Sequence, residues 1–193
     1  MQPTVLSVLC QEPEGDIQRE ISPLEFTPDT LKEFWEKARV YRTLFNQEIR
    51  KNYDVFLNLI LRRGLTADSI EPTGLFWRVD PNFVGVFYMT NITPEQDAQA
   101  HYTFFDGRHR GRVDLCKQML GYVFNRYNLR RLTVEIPLYA TEKTHNFVSK
   151  SLGFRKEGRK RKAILFDNEW FDVIVYGLLR EEVNGNGIKT NSS

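Results

Sequence analysis

Cysteine and histidine are scarce in this chain, at two and three residues of 193, and their spacing matches no zinc site, so no metal is expected. Cys10 and Cys116 offer no disulfide framework. Cys116 falls on the apolar side of a periodic segment, which fits a buried free thiol in a reducing compartment. Long apolar runs are also missing. No stretch of about 18 uncharged apolar residues occurs, so no membrane-spanning helix is expected. The opening Met-Gln-Pro-Thr-Val-Leu-Ser-Val-Leu-Cys has neither a basic start nor a cleavage pattern and does not read as a secretory signal. Together these absences point to a cytoplasmic protein.

What is present is the profile of one globular domain with a full core, 41% hydrophobic and 27% charged. We assign the domain to residues 1–183, with 1–21 as an N-terminal extension of uncertain role. Residues 184–193 read as a polar, disordered tail. Thr4–Cys10 and Ile17–Ile21 read as short strands around an acidic Pro/Gly turn. Thr27-Pro28-Asp29 opens a helix, with threonine as cap and proline at the first helical position, and Leu31, Phe34, Trp35 and Ala38 form its apolar stripe. A second, longer helix is expected from Phe45 to Arg63, stopped by Gly64. At Gly74 the period changes. Leu75–Val79 and Phe83–Thr90 read as a hairpin around Asp80-Pro81-Asn82, and Ala98–Phe105 as a third strand.

The next segment is the most informative. Asp106-Gly-Arg-His-Arg-Gly-Arg112 is an arginine-dense glycine turn after a strand. Behind it Val113, Cys116, Leu120, Val123, Phe124 and Tyr127 recur at helical steps. A strand, a glycine turn and a helix start present unpaired N–H groups and the positive end of a dipole, an arrangement that binds phosphate. A basic loop capping an ordinary helix is the other reading. Further on come a strand at Leu132–Ile136, a short helix at Lys143–Leu152 ended by Gly153, and a closing hairpin around Asp167-Asn168. The order of elements describes an α+β domain whose sheet mixes antiparallel and parallel pairs. Net charge is only +2 but unevenly spread: Arg155, Lys156, Arg159, Lys160, Arg161 and Lys162 are interrupted by a single acid, Glu157. Such a run fits a nucleic-acid, ribosomal or other acidic partner, and more often a solvated strand edge.

Ser149-Lys-Ser-Leu-Gly-Phe-Arg-Lys-Glu-Gly158 and Asp172-Val-Ile-Val-Tyr-Gly-Leu-Leu-Arg-Glu-Glu182 resemble the Gcn5-related N-acetyltransferase (GNAT) family. The likeness is to the branch that acetylates ribosomal-protein N-termini, and it runs from about Gly74 to Glu182. It implies a central mixed, mostly antiparallel twisted sheet of six to seven strands flanked by about four helices. It also implies an acetyl-CoA-dependent N-acyltransferase, moving an acetyl group directly to a protein N-terminus, a lysine or a small amine. Acetyl-CoA is then the co-substrate, and a homodimer is compatible with the family.

The resemblance also implies site residues. Arg108, His109, Arg110, Gly111, Arg112 and Val113 correspond to the pyrophosphate loop, with Val113 standing where the family has glycine or alanine. A backbone N–H within Thr103–Phe105 would face the thioester carbonyl, which places Phe104 and Phe105 in the cofactor set. The family's cofactor-contacting asparagine is missing from its usual place, with Asn146 as a shifted substitute. Glu135 is the candidate base, or else a solvent-side glutamate. For the general acid, His145, Ser149 and Tyr139 are candidates, although a single histidine at a helix start, as His145 is, is more often a surface or capping residue. His101 lies on the strand beside the expected cleft, facing substrate or packing. The departures from the family pattern support an alternative, a GNAT-fold protein with lost or weak catalysis serving as a structural or partner-binding module.

Overall fold

The structure is a computed structural model that describes residues 6–12, 15–41, 45, 47–64, 66, 69–105 and 111–185; for 7–12, 15–17 and 184–185 it describes the backbone only. Strands β1 (Leu6–Glu12) and β2 (Gly15–Pro23) form the expected N-terminal hairpin. Helix α1 (Pro28–Ala38) starts as the sequence predicts. The Thr27 hydroxyl accepts from the Thr30 amide at 3.2 Å, Pro28 occupies the first turn, and Leu31, Phe34, Trp35 and Ala38 are buried.

The single helix expected over 45–63 is not formed. Two helices replace it, α2 (Gln47–Lys51) and α3 (Tyr53–Ile60), followed by a short strand β3 (Leu61–Arg63) paired with β4 (Ile70–Pro72). Asn52 is the cause of the break. It is extended, at φ −128° and ψ 116°, and its side-chain oxygen accepts from the amides of Asp54 at 2.9 Å and Val55 at 3.4 Å, so a new helix begins there. Leu61 is extended too, which makes Gly64 part of a hairpin and not a helix stop.

The remaining elements follow the expected order. They are β5 (Leu75–Asp80), β6 (Gly85–Thr93), β7 (Asp97–Phe104), α4 (Arg112–Arg126), β8 (Arg131–Pro137), α5 (Glu142–Asn146), β9 (Arg155–Phe166), β10 (Glu169–Leu179) and α6 (Arg180–Gly185). The last helix was not anticipated, and it takes in Asn184 and Gly185 from the segment read as tail; 186–193 lie outside the described residues. Helix α5 continues as a π-helical turn over Phe147–Ser151, with the Leu152 amide bonded to the Phe147 carbonyl, before Gly153 ends it at φ 83°.

The main sheet has eight strands in the order β1-β2-β5-β6-β7-β8-β10-β9, the N-terminal hairpin supplying the outermost two. Every pair is antiparallel except β7–β8. Each face carries its own core. On one, Trp77, Phe87, Met89, Ala98, Ala100, Leu132, Val134 and Ile136 pack against α4. On the other, Phe76, Phe83 and Val86 pack against Phe34, Trp35, Phe45, Phe56 and Ile60 of the N-terminal helical region. Alternation along the strands sends odd- and even-numbered residues to different faces and so decides which side chains reach which side of the site.

Candidate active site

The parallel pair β7–β8 is joined only at its beginning, where Asp97, Ala98 and Gln99 face Arg131, Leu132 and Thr133. Beyond these residues the ladder between the two strands stops, while β7 stays paired with β6 to Phe104 and β8 with β10 to Pro137. The two strands therefore part, leaving a V-shaped opening in mid-sheet. Hydrogen-bond alternation fixes which backbone groups line it. The Phe105 amide bonds to the Val84 carbonyl at 2.7 Å, so His101, Thr103 and Phe105 turn their peptide groups to β6, and Tyr102 and Phe104 turn theirs into the opening. Likewise the Leu138 amide bonds to the Asp172 carbonyl at 2.8 Å, so Ile136 and Val134 face β10 and Glu135 presents its peptide N–H and C=O from the other side. Backbone groups without a ladder partner need another one, and an extended ligand inserted between the strands can supply it.

Helix α4 starts beside this opening. Gly111, the last glycine of the turn read in the sequence, is its N-cap, and among the described residues no side chain caps the first amides. Arg112 is exposed and its guanidinium lies 5.4 Å from the Phe147 ring centre; Phe147 in turn packs 5.4 Å from Tyr102 of β7. The π-helical turn thus leans across to both β7 and α4. Val113 is half-buried in the first turn. Arg108, His109 and Arg110 lie outside the described residues. Phe104 packs toward the α4 core, whereas Phe105 joins the opposite core and its carbonyl accepts from the Tyr41 hydroxyl.

The acid–base candidates are divided between the two faces. Glu135 has the parity opposite to Val134 and Ile136, placing it on the face of α1–α3, and its carboxylate pairs with Lys160 Nζ at 2.5 Å. His101 lies on that face too, stacked on Tyr88 at 4.4 Å and 8°, with Nε2 at 3.0 Å from the Thr90 hydroxyl. Burial lowers its pKa to about 4. His145 is on the other face, in α5, with Nδ1 at 2.9 Å from the Tyr176 hydroxyl. Tyr176 is buried among the α4-side residues, and desolvation raises its pKa. The Ser149 hydroxyl donates to the His145 carbonyl at 2.9 Å, an internal helix bond, and Asn146 Nδ2 donates to Glu142 at 3.3 Å. Tyr139 packs against Phe166 and Phe171 of the β9–β10 hairpin at 4.6 and 5.0 Å. The structure thus puts the Glu135 peptide at the opening while Lys160 of β9 holds its carboxylate, pairs His145 with Tyr176, and sets Tyr139 against the hairpin.

Sequence reasoning missed Lys160 as the partner of Glu135, the His145–Tyr176 bond and the bridging role of Phe147. Only strand order and helix docking make these contacts. A groove of about 360 Å³ lies on the α2 side, lined by Gln47, Glu48, Lys51, Leu165, Asp167 and Asn168. Among the described residues no group of three or more acidic, histidine or cysteine side chains could hold a metal, and no helix is long and apolar enough to cross a membrane.

Comparison with known proteins agrees with this architecture. No curated protein matches the sequence. Among solved structures, Mycobacterium smegmatis RimJ in complex with CoA-disulfide superposes with a TM-score of 0.63 at 17% identity, covering 94% of this chain and 91% of that one. The ribosomal-protein-S5-alanine acetyltransferase from Vibrio fischeri gives 0.64 at 17%, covering 92% and 98%. A spermidine N-acetyltransferase chimera of Vibrio cholerae SpeG and hSSAT gives 0.63 at 14%, covering 86% and 98%. At such identities these structures establish a shared fold. The model of the acetyltransferase (GNAT) domain matches residues 75–175, more than half of the chain, and with the parted strands and the helix start beside them it shows that this chain belongs to the GNAT acetyltransferase family.

Proposed function

We propose that the chain is an acetyl-CoA-dependent N-acyltransferase that passes the acetyl group directly to a primary amine. The observation that carries this reading is the opening between β7 and β8, lined by peptide groups of Tyr102, Phe104 and Glu135, with the first turn of α4, uncapped among the described residues, at its side. The donor set suits acetyl-CoA in two respects. Peptide groups turned toward each other across a sheet gap match an extended amide-bearing chain, and an uncapped helix start matches a diphosphate. Gly111, Arg112 and Val113 would hold that diphosphate, joined by Arg108, His109 and Arg110, which precede them in the sequence. Acetyl-CoA brings an activated acyl group, and the chain's own residues supply alignment and proton transfer. A peptide N–H of Tyr102 or Phe104 is placed to donate to the acyl oxygen as negative charge grows there. Glu135, on the opposite face, takes the proton of the amine. His145 gives a proton to the departing sulfur, with the Tyr176 hydroxyl holding its ring.

The acceptor is a protein N-terminus, a lysine or a small amine. The names of the solved relatives, one acting on a ribosomal-protein alanine and one on spermidine, span the same range. The test combines binding and turnover. Acetyl-CoA at about a hundred times its Kd should stabilise the folded chain by about 2.7 kcal/mol, about 5–10 °C for a domain of this size. Free thiol should appear with at least one of an alanine-initiated peptide, a lysine peptide and spermidine. Glu135→Gln should lower kcat about a hundredfold and leave that stabilisation intact. A chain that millimolar acetyl-CoA does not stabilise, and that releases no thiol, is a partner-binding module instead.

A further inference from the structure

We propose that Phe147 is a positioning residue for the diphosphate of acetyl-CoA, acting through Arg112, whose guanidinium its ring holds at the start of α4. This inference rests on the N-acyltransferase reading above and adds a residue to it. Phe147 opens the π-helical turn, where the Leu152 amide reaches back to the Phe147 carbonyl at 3.0 Å and the Phe154 amide to the Val148 carbonyl at 3.2 Å. Val148 and Leu152 are buried in the α4-side core, and Phe147 is half-buried against it. Its ring centre lies 5.4 Å from that of Tyr102, with 57° between the planes, and 5.4 Å from the Arg112 guanidinium.

Those two contacts cross the split in the sheet. Helix α5 and its π-helical turn follow β8, whereas Tyr102 and Arg112 belong to β7 and to the helix after it. The ladder between β7 and β8 ends at Gln99 and Thr133, so past that point the Phe147 ring ties one side to the other on the α4 face. A ring packed on Tyr102 alone would serve the core. The same ring beneath the first residue of α4 also fixes where a positive charge sits.

Arg112 is held in a way that keeps its donors for a ligand. It is exposed, and among the described residues its guanidinium makes no hydrogen bond or ion pair. A cation above an aromatic ring is attracted by the ring's negative face, and that attraction uses none of the N–H groups. A carboxylate partner would have occupied the fork that a phosphate needs. The guanidinium is nevertheless turned inward. Burial raises the pKa of Tyr102 and of Cys116, and the Arg112 charge pulls both back down, so that charge lies close to β7 and the first turns of α4. A long side chain already held in place loses less freedom when it takes a phosphate oxygen.

The full chain serves for the test. Phe147→Leu keeps an apolar side chain against Tyr102 and removes the ring. In calorimetric titration with CoA it should raise Kd about fivefold, with kcat at saturating acetyl-CoA within about twofold of the parent. Phe147→Tyr restores a ring and should bring Kd back. Arg112→Gln should raise Kd about tenfold, and adding Phe147→Leu to it should change nothing further. Dephospho-CoA keeps the diphosphate and lacks the ribose phosphate, and with it the leucine variant should show the same loss as with CoA. S-acetylpantetheine has no diphosphate, and the leucine variant should turn it over with the kcat/KM of the parent. The proposal is overturned by a leucine variant that binds CoA as tightly as the parent, or by a loss that is equal with S-acetylpantetheine. It is overturned too by a loss that vanishes with dephospho-CoA, or by losses from the two substitutions that multiply. Each of these outcomes leaves the acyltransferase reading in place. A parent chain that neither binds acetyl-CoA nor releases thiol defeats that reading, and this inference falls with it.

Discussion

Replacing His101 by phenylalanine should change how stability depends on pH, and the size of the change follows from where the ring sits. The folded-state pKa is lowered by burial to about 4, against 6.5 for a free histidine. Above about pH 7 neither state binds the proton, and His101 adds no pH dependence. Below 6.5 the unfolded chain takes up a proton that the folded chain refuses, so stability falls as pH falls until the folded ring also titrates. At pH 5 the loss is about 2 kcal/mol, from about 1.36 kcal/mol per pKa unit. The phenylalanine variant lacks this loss but also lacks the bond to Thr90, worth about 1 kcal/mol. The variant should therefore be less stable than the parent at pH 7.5 by about 1 kcal/mol, and more stable at pH 5 by a similar amount. Urea unfolding of both proteins at the two pH values measures the difference. Carboxylates titrating in both proteins largely cancel in the comparison. A gap of the same sign and size at pH 7.5 and pH 5 would refute the neutral, buried ring.

Two other substitutions test the fold around the site. Asn52→Ala should cost about 1 kcal/mol in urea unfolding, because the amides of Asp54 and Val55 lose the oxygen that starts α3. Gly74→Ala should cost about 2 kcal/mol or more, since the new Cβ would sit 2.0 Å from the Met89 carbonyl oxygen, a backbone atom that cannot swing away.

Local chemistry made much of this fold legible. Thr27-Pro28 sets the start of α1, and Gly153 stops the helix after β8 at a positive φ that glycine tolerates. Alternation in Leu132–Ile136 sends Glu135 away from the Val134 and Ile136 face. What was not legible depends on partners distant in sequence. Leu61-Arg62-Arg63 followed by glycine has the composition of a helix end, and only pairing with Ile70–Pro72 draws it into a strand. Lys160 reaches Glu135 because β10 lies between β8 and β9, a strand order that no local pattern encodes. His145 meets Tyr176 across 31 positions for the same reason. The site thus consists of locally readable residues whose partners are set by topology.

The basic run at 155–162 follows the same logic, and its charge is smaller in effect than in count. All six cations are on β9, the outer edge of the sheet. Arg155 pairs with Glu182 of α6 at 3.0 Å, Arg159 with Asp172 of β10, and Lys160 with Glu135 of β8. Asp172 is held below the usual carboxylate range first by the Lys162 backbone N–H and then by Arg159. Only Lys156, Arg161 and Lys162 carry no ion pair among the described residues. Exposed pairs add little stability, but they occupy the charges that a phosphate would need. If this strand bound duplex DNA, three free cations would release about three counterions, a log–log salt slope near −2.7, where six would give about −5.4. Retention on DNA measured across salt separates the two slopes. The steeper value would mean that a polyanion displaces Glu135, Asp172 and Glu182 from their partners, and the pairing seen along β9 would then be only the resting arrangement of a binding surface.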